Sequence, residues 1–307
     1  MKNDNCPVCH GRVKKILYRM CNISNEFLVV SCSNCSHIYT FFTKDINVES
    51  LYHDEVYEVV DNRGSIFDKI IGMEYLHVIS KIKNKYKKSK NILDFGCGKG
   101  KFLSVAKKEG FNIMGIETEI NRSNFARGIY NINVDSNYYS SGKINTSPFQ
   151  VITLFHVLEH LPNPKEIISN LVKDNLDNDG LFIIEVPNFL SFQSKLAKEK
   201  WMHIDVPRHL SHFTIKNLEN FMEDISLKIT ETEYFSRHLG IIGMLHAIMV
   251  RFGYKKNIII ELKRKNLGTI IRVLFLLPFA TVLELTACLF KQGGIIRIYA
   301  KREIKNK

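Results

Sequence analysis

The sequence lacks an uncharged apolar run of about 18 residues, the minimum for a simple membrane span. Its opening, MKNDNCPVCH, lacks the apolar stretch of a signal peptide. A cytoplasmic location is therefore expected. Glycine (17) and proline (7) are too scarce for a fibrous or linker-dominated chain. Acids are outnumbered by bases, 31 to 43, so the 307 residues carry a net charge of +12. A hydrophobic fraction of 45% with 24% charged residues excludes general disorder. Seven cysteines, an odd number in a chain without an export signal, point to metal or free thiols rather than disulfides.

Four of those cysteines form two pairs, Cys6-Pro-Val-Cys9 and Cys32-Ser-Asn-Cys35, with 22 residues between them. A tight knuckle brings two thiolates onto one ion, and two knuckles complete a tetrahedral site. Structural zinc on Cys6, Cys9, Cys32 and Cys35 is expected. A rubredoxin-like iron site and unligated thiols are the alternatives. Residues 13–30 supply two short strands, and Cys21 reads as a small core residue. Forty residues bury little apolar area, so the metal supplies much of this module's folding energy.

Further along stands Asn91-Ile-Leu-Asp-Phe-Gly-Cys-Gly-Lys-Gly100. A buried strand, Ile92 to Phe95, runs into Gly96-x-Gly98-x-Gly100, and a helix follows from about Lys101 to Glu109. Glycines let the backbone turn tightly and let a ligand lie against it. A dinucleotide fingerprint needs glycine at Lys101, and a Walker loop needs glycine at Phe95 and Ser/Thr at Phe102. Both tests fail. Asp94, just before the glycines, suits a cationic ligand group better than a pyrophosphate. A second strand, Asn112 to Ile116, ends in Glu117, where an acid of a doubly wound sheet typically grips ribose hydroxyls.

Together these residues resemble the class I S-adenosylmethionine-dependent methyltransferases, over about residues 91 to 235. The resemblance implies that the loop Asp94, Gly96, Cys97, Gly98 and Gly100 holds the methionine part of the cofactor and that Glu117 binds its ribose. The strand from Phe149 ends in His156-Val-Leu-Glu159-His160-Leu-Pro-Asn-Pro. Pro162 and Pro164 break the long helix that an inverted zinc-protease motif needs. The segment looks instead like the one after the fourth strand of bacterial small-molecule and glycan methyltransferases. Phe155 and His156 then border the cofactor, and Glu159 and His160 brace the loop. Related quinone O-methyltransferases can hold a divalent metal on acids here, and His156 replaces the first of them. The chain has HVLEH where base amino-methyltransferases carry DPPY or NPPY, which argues against base N-methylation.

On the acceptor side, Trp201-x-His203-x-Asp205-x-Pro207-Arg208-His209-Leu210-x-His212-Phe213 follows a helix of about Ser191 to Lys200. The same branch carries such a segment over the methyl-transfer site. A hydroxyl acceptor needs a general base, and neutral histidine suits that role. His209 is the first candidate and His156 the second. Arg208 suits binding of an acidic or phosphorylated acceptor, and His203 and His209 are further substrate-binding candidates. The plainer reading makes His203, His209 and His212 holders of the loop. Leu51-Tyr52 and Tyr57 match the family's tyrosine-containing linker, with Tyr57 closing over the acceptor.

Leu227 to Phe235 and Gly294 to Ala300 read as the last two strands, an antiparallel pair. Between them lie apolar segments Leu239 to Val250 and Leu267 to Phe290, the second interrupted by Arg272, Pro278 and Glu284. Residues 236–307 hold 14 Lys and Arg against 3 acids, whereas residues 1–235 hold 29 against 28. The positive charge is thus concentrated at the end of the chain. An anionic membrane surface contacting 236–292, a helical hairpin packed on the sheet, a homodimer interface and a lid are the readings of that insertion.

The expected fold is α/β: a doubly wound, Rossmann-like, seven-stranded sheet with a zinc ribbon (1–45), a helical linker or cap (46–90) and a methyltransferase domain (91–307) with an insertion (236–292). The expected activity is O-methylation of a sugar, sugar nucleotide or polysaccharide precursor. Quinone-type O-methylation is an alternative. Sugar C-methylation is another, although those enzymes carry a further C-terminal domain. A non-catalytic cofactor-binding regulator is the reading from another class. Nucleic acid is disfavoured as a partner, because the ribbon has few aromatics interleaved with arginine.

Overall fold

The computed structural model describes residues 5–12, 14–21, 26–44, 61–85 and 90–303. They fall into two compact units. One takes in residues 59–186, 218–233 and 297 onward; the other takes in those before 59, 187–217 and 234–296.

The first unit is built on a seven-stranded sheet. In chain order its elements are α1 (Ile66–Lys85), β4 (Asn91–Phe95), α2 (Lys101–Lys108), β5 (Asn112–Ile116), α3 (Ile120–Tyr130), β6 (Val134–Asp135), β7 (Phe149–Phe155), α4 (Pro164–Asn175), β8 (Leu176–Pro187), α6 (Ile215–Asp224), β10 (Leu227–Glu233) and β11 (Ile295–Arg302). Strand order is β10-β11-β8-β7-β4-β5-β6. The strands β6, β5, β4, β7 and β8 pair in parallel, while β10 and β11 run antiparallel. The expected doubly wound sheet and its antiparallel terminal pair are both present.

Local sequence explains these elements. β4 is a near-continuous buried run, as a parallel strand covered on both faces must be. α2 turns Phe102, Leu103 and Ala106 into a core shared with Val78, Ile79 and Ile82 of α1 and Ile92, Val151 and Ile183 of the sheet. α4 starts with Pro164, whose missing N–H costs nothing in a first turn. Strand order reverses between β4 and β7, and crevices at such switch points hold ligands in open α/β sheets.

The second unit contains β1 (Lys14–Cys21), β2 (Glu26–Cys32), β3 (Ile38–Phe42), α5 (Phe192–Ala197), β9 (Ser211–His212), α7 (Leu239–Arg251), α8 (Ile258–Lys263) and α9 (Leu267–Leu289). The two strands expected between the cysteine pairs form as an antiparallel hairpin. The sheet continues to β3 and then to β9, where Ile38 pairs with His212 and Tyr39 with Ser211. The helix expected over Ser191 to Lys200 is shorter, and a 3-10 turn takes over at Lys198–Lys200.

Both apolar segments of the insertion are helices. α9 runs through Pro278 without ending, 23 residues long with a mean hydropathy of 1.9 over its most apolar window. By length and composition it is apolar enough to cross a membrane. A search for uncharged runs passes over it because Arg272 and Glu284 lie inside it. α7 is buried almost throughout, and Met244, Leu245, Ile248 and Met249 pack with Ala280 and Ala287 of α9.

Candidate active site

At the end of β4 the chain turns through Gly96, Gly98 and Gly100, all at positive φ. A Cβ on Gly96 would lie 2.4 Å from Val157 Cγ2, so this position admits only glycine. Gly98 differs: nothing lies within 4 Å of where its Cβ would be, so the loop opens there onto empty space. The amides of Gly96 and Cys97 both donate to the Ile116 carbonyl, at 2.8 and 2.9 Å, pinning the loop to the end of β5. Gly98 N donates to Glu117 Oε2 at 2.9 Å, and Glu119 N donates to Glu117 Oε1 at 2.9 Å. Asp94, Gly96, Gly98, Gly100 and Glu117 are thus gathered in one cradle. Cys97 belongs to it through its backbone, since its buried Sγ packs against Gly115.

The electrostatics of the cradle are one-sided. Asp94 is buried and accepts a 2.6 Å hydrogen bond from Thr153 Oγ1. Burial pushes its carboxyl up to about 7, against the Thr153 hydrogen bond and with the help of the Glu117 charge. Burial likewise raises Glu117, although the two backbone amides favour its ionised form. Two acids raised side by side suit a ligand that brings positive charge and hydroxyl donors.

His156, at the end of β7, stands at positive φ with Nε2 at 2.9 Å from Glu185 Oε1 and Nδ1 at 3.3 Å from Glu159 Oε1. Burial alone would lower its pKa, but hydrogen bonds and charge from both glutamates push it up to about 9. At neutral pH the ring is an imidazolium, which holds no lone pair for accepting a proton. Phe155 packs its ring on Phe102 and Tyr75, with centroids 4.8 and 5.3 Å away.

Sequence reasoning missed the partners of these groups. Thr153 is one. The other is a buried ion cluster in which Arg297 Nε donates to Glu185 Oε2 at 2.6 Å and Nη1 donates to Glu233 Oε2 at 2.9 Å, while Nη2 pairs with Glu74. Burial opposes the charge on Glu233, yet Arg297, Lys81 and His77 hold its carboxyl down at about 2. Single charges within apolar runs, Glu185 in IIEVP and Arg297 in GIIRIYA, are the signal that could have found them.

In the second unit, the histidine segment is tied down. His203 Nε2 lies 3.2 Å from the Leu239 carbonyl, and His212 Nε2 lies 3.0 Å from Thr40 Oγ1. Arg208 directs its guanidinium to Asp205, three residues earlier, with Nε 3.0 Å from Oδ2. His209 is buried, with Nδ1 2.9 Å from the His203 carbonyl. A carbonyl only accepts, so Nδ1 donates there, while Nε2 lies 4.0 Å from Asp205 Oδ2. Tyr57, with Leu51 and Tyr52, lies outside the described residues.

Also in this unit, the sulfurs of Cys6, Cys9, Cys32 and Cys35 all lie within 4.8 Å of one another. Cys6 and Cys35 are 3.6 Å apart, and Cys9 and Cys32 are 3.5 Å apart. Four ligands at about 2.3 Å around a tetrahedral ion stand roughly 3.8 Å apart, so the set fits a metal. The two knuckles match: His10 N donates to the Cys6 carbonyl and Ser36 N to the Cys32 carbonyl, both at 2.9 Å, with His10 and Ser36 at positive φ.

A family model described as a methyltransferase domain matches residues 67–232. The chain belongs to this methyltransferase family. Its sheet order and glycine loop are those of the class I S-adenosylmethionine-dependent methyltransferase fold. Two curated relatives are named ubiquinone biosynthesis O-methyltransferases. The protein of Rickettsia bellii is 29% identical over 134 residues, 42% of this chain and 55% of its own length. That of Coxiella burnetii is 28% identical over 109 residues, 32% of this chain and 47% of its own length. The methyltransferase thus spans about half the length of the curated relatives it matches. The plantazolicin methyltransferase BpumL, solved with a pentazolic desmethylPZN analog and SAH, shares the fold. It aligns at a TM-score of 0.51 with 18% identity, covering 83% of this chain and 94% of its own.

Proposed function

We propose that the enzyme transfers the methyl group of S-adenosylmethionine to a hydroxyl oxygen on a sugar, sugar nucleotide or polysaccharide precursor. The observation that supports O-methylation is His209, a buried imidazole oriented by its Nδ1 hydrogen bond to the His203 carbonyl. When bound, the cofactor supplies an electrophilic methyl on a positively charged sulfur. Asp94 would hold the positively charged methionine part, and the Glu117 carboxylate would accept from the ribose hydroxyls. His209 Nε2 takes the acceptor's hydroxyl proton as its oxygen attacks, which contributes typically 10²–10⁴-fold. The Arg208–Asp205 pair positions the His209 loop. His156, held between Glu159 and Glu185, borders the cofactor.

Quinone-type O-methylation is the second reading, favoured by the two relatives' names. Both readings need a hydroxyl and a base. Incubating the enzyme with labelled cofactor and fractionated cell extract separates them, since label enters nucleotide-sugar fractions in the first case and lipid fractions in the second. Label in RNA contradicts both. His209→Gln should lower kcat about 10²-fold or more while leaving cofactor Kd unchanged. Unchanged kcat removes His209 from the chemistry.

The four cysteines are proposed to hold one structural zinc. Metal analysis of the purified protein should find about one zinc per chain, displaced by a thiol-modifying mercurial. Iron in its place would point to the rubredoxin-like alternative.

A further inference from the structure

A soluble amphipathic helix covers one apolar face and wets the other. α9 does not follow that rule. Its inner stripe, Thr269, Val273, Leu276, Ala280, Glu284 and Ala287, is wholly or largely covered, with Val273, Leu276, Ala280 and Ala287 in the core shared with α7. Its outer stripe, Leu267, Ile271, Leu274, Phe275, Val282 and Leu289, is equally apolar and stands in the open. Phe275 is 70% exposed and forms a surface pair with Phe279, 6.1 Å between centroids. Only 17% of the most apolar window is buried. At 1.5 Å per residue the helix is about 34 Å long, so the stripe is continuous over a large area. Phe252, 81% exposed, adds to it from the turn after α7.

Charge accompanies this surface. Arg251, Lys255, Lys256, Lys263, Lys265 and Arg272 are all exposed, around the turns leading into α9 and on its first turns. Of the two acids in residues 236–292, Glu261 is buried and pairs with Lys256, and Glu284 is buried on the inner stripe.

We propose that the outer face of α9 docks on an anionic lipid bilayer, lying in the plane of the interface with the flanking lysines and arginines among the headgroups. An apolar stripe beside a cationic cluster is the signature of such a helix. The inner stripe sets the orientation. Glu284 accepts hydrogen bonds from Gly294 N at 2.7 Å and from Gln193 Nε2 at 3.0 Å, and spanning would strip these from a helix already seated on α7. A second copy is a poorer occupant, because two such surfaces would bring together bases with no exposed acid from residues 236–292 to meet them.

The test is co-sedimentation of the full chain with phosphatidylcholine vesicles and with vesicles containing 30% phosphatidylglycerol, at low and high salt. The expected result is binding to the anionic vesicles, weakened by salt. Phe275→Asp with Phe279→Asp should lower it at least 100-fold. Lys263→Gln with Lys265→Gln should lower it roughly 10- to 30-fold. Inorganic phosphate at matched ionic strength should not compete, which separates a bilayer from a free anion. Cofactor binding by each variant reports that it folds, and those side chains are outside the cofactor cradle, so failure here and failure of the O-methylation reading are distinguishable. No binding to either vesicle at low salt, or binding that the aromatic pair does not affect, overturns the proposal. A dimer in sedimentation velocity that Phe275→Asp with Phe279→Asp dissociates, with no vesicle binding, overturns it in favour of a second copy.

Discussion

Two acids on the strands that flank β7 in one sheet, Asp94 on β4 and Glu185 on β8, are buried to the same depth and held in opposite ways. Glu185 sits between the Arg297 guanidinium and the His156 imidazolium. Asp94 has a neutral hydroxyl for its hydrogen bond and another acid, Glu117, for its electrostatic neighbour. A charge met by protein cations is part of the frame; a charge that the protein leaves unmet belongs to a ligand. The comparison separates structure from site without reference to any family.

The largest expected effect falls on the frame. Arg297→Met leaves Glu74 and Glu185 buried without the guanidinium that meets them and should cost about 3–5 kcal/mol in denaturant unfolding. A loss below about 1 kcal/mol would show that the cluster is not what holds these strands.

Asp94→Asn should act in the other direction. The native carboxyl titrates near 7 against an ordinary 3.8, so the folded state retains a proton that the unfolded chain gives up. Stability from the neutral carboxyl is complete below about pH 4 and is lost as pH rises through 7. The asparagine variant, free of that loss, should match the native protein near pH 4 and exceed it at pH 8, by on the order of 1–4 kcal/mol, in the absence of cofactor. Destabilisation at pH 8 would mean that Asp94 is a frame residue like Glu185.

A smaller effect is expected at His156. Its pKa is raised to about 9 from 6.5, so its contribution is complete below about 6.5 and is lost as pH rises through 9. His156→Gln should lower stability by about 1–3 kcal/mol at pH 6 and by less at pH 10. A ring that titrates near 6.5 by NMR would return His156 to the list of candidate bases.

Much of the cradle was legible in the sequence because it is local. Ile92 to Phe95, the three glycines, Lys101 onward and Asn112 to Glu117 lie within one β-α-β unit, where apolar runs bounded by glycine fix both elements and turn. Partners that arrive from elsewhere were not legible: Thr153 reaches Asp94 from 59 residues away, and Arg297 reaches Glu185 from 112. The two-residue strands β6 and β9 carry too little pattern to be seen. The histidine cluster was visible as composition, but its division of labour was not. His203 and His212 meet Leu239 and Thr40 through tertiary contacts, and His209 meets the His203 carbonyl within its own loop. α9 was read as interrupted because charge was counted along the chain, whereas on the folded helix Glu284 faces inward.

The most direct test of the central claim is calorimetric titration of S-adenosylmethionine into the native enzyme and Asp94→Asn between pH 6 and 8. A cationic ligand favours the ionised carboxylate, so native affinity should rise with pH through 7 more steeply than that of the variant. The native enzyme should also release an additional proton on binding, and the variant should bind at least 100-fold more weakly at pH 8. Equal affinity in the two proteins across that range, with equal proton release, would contradict the account.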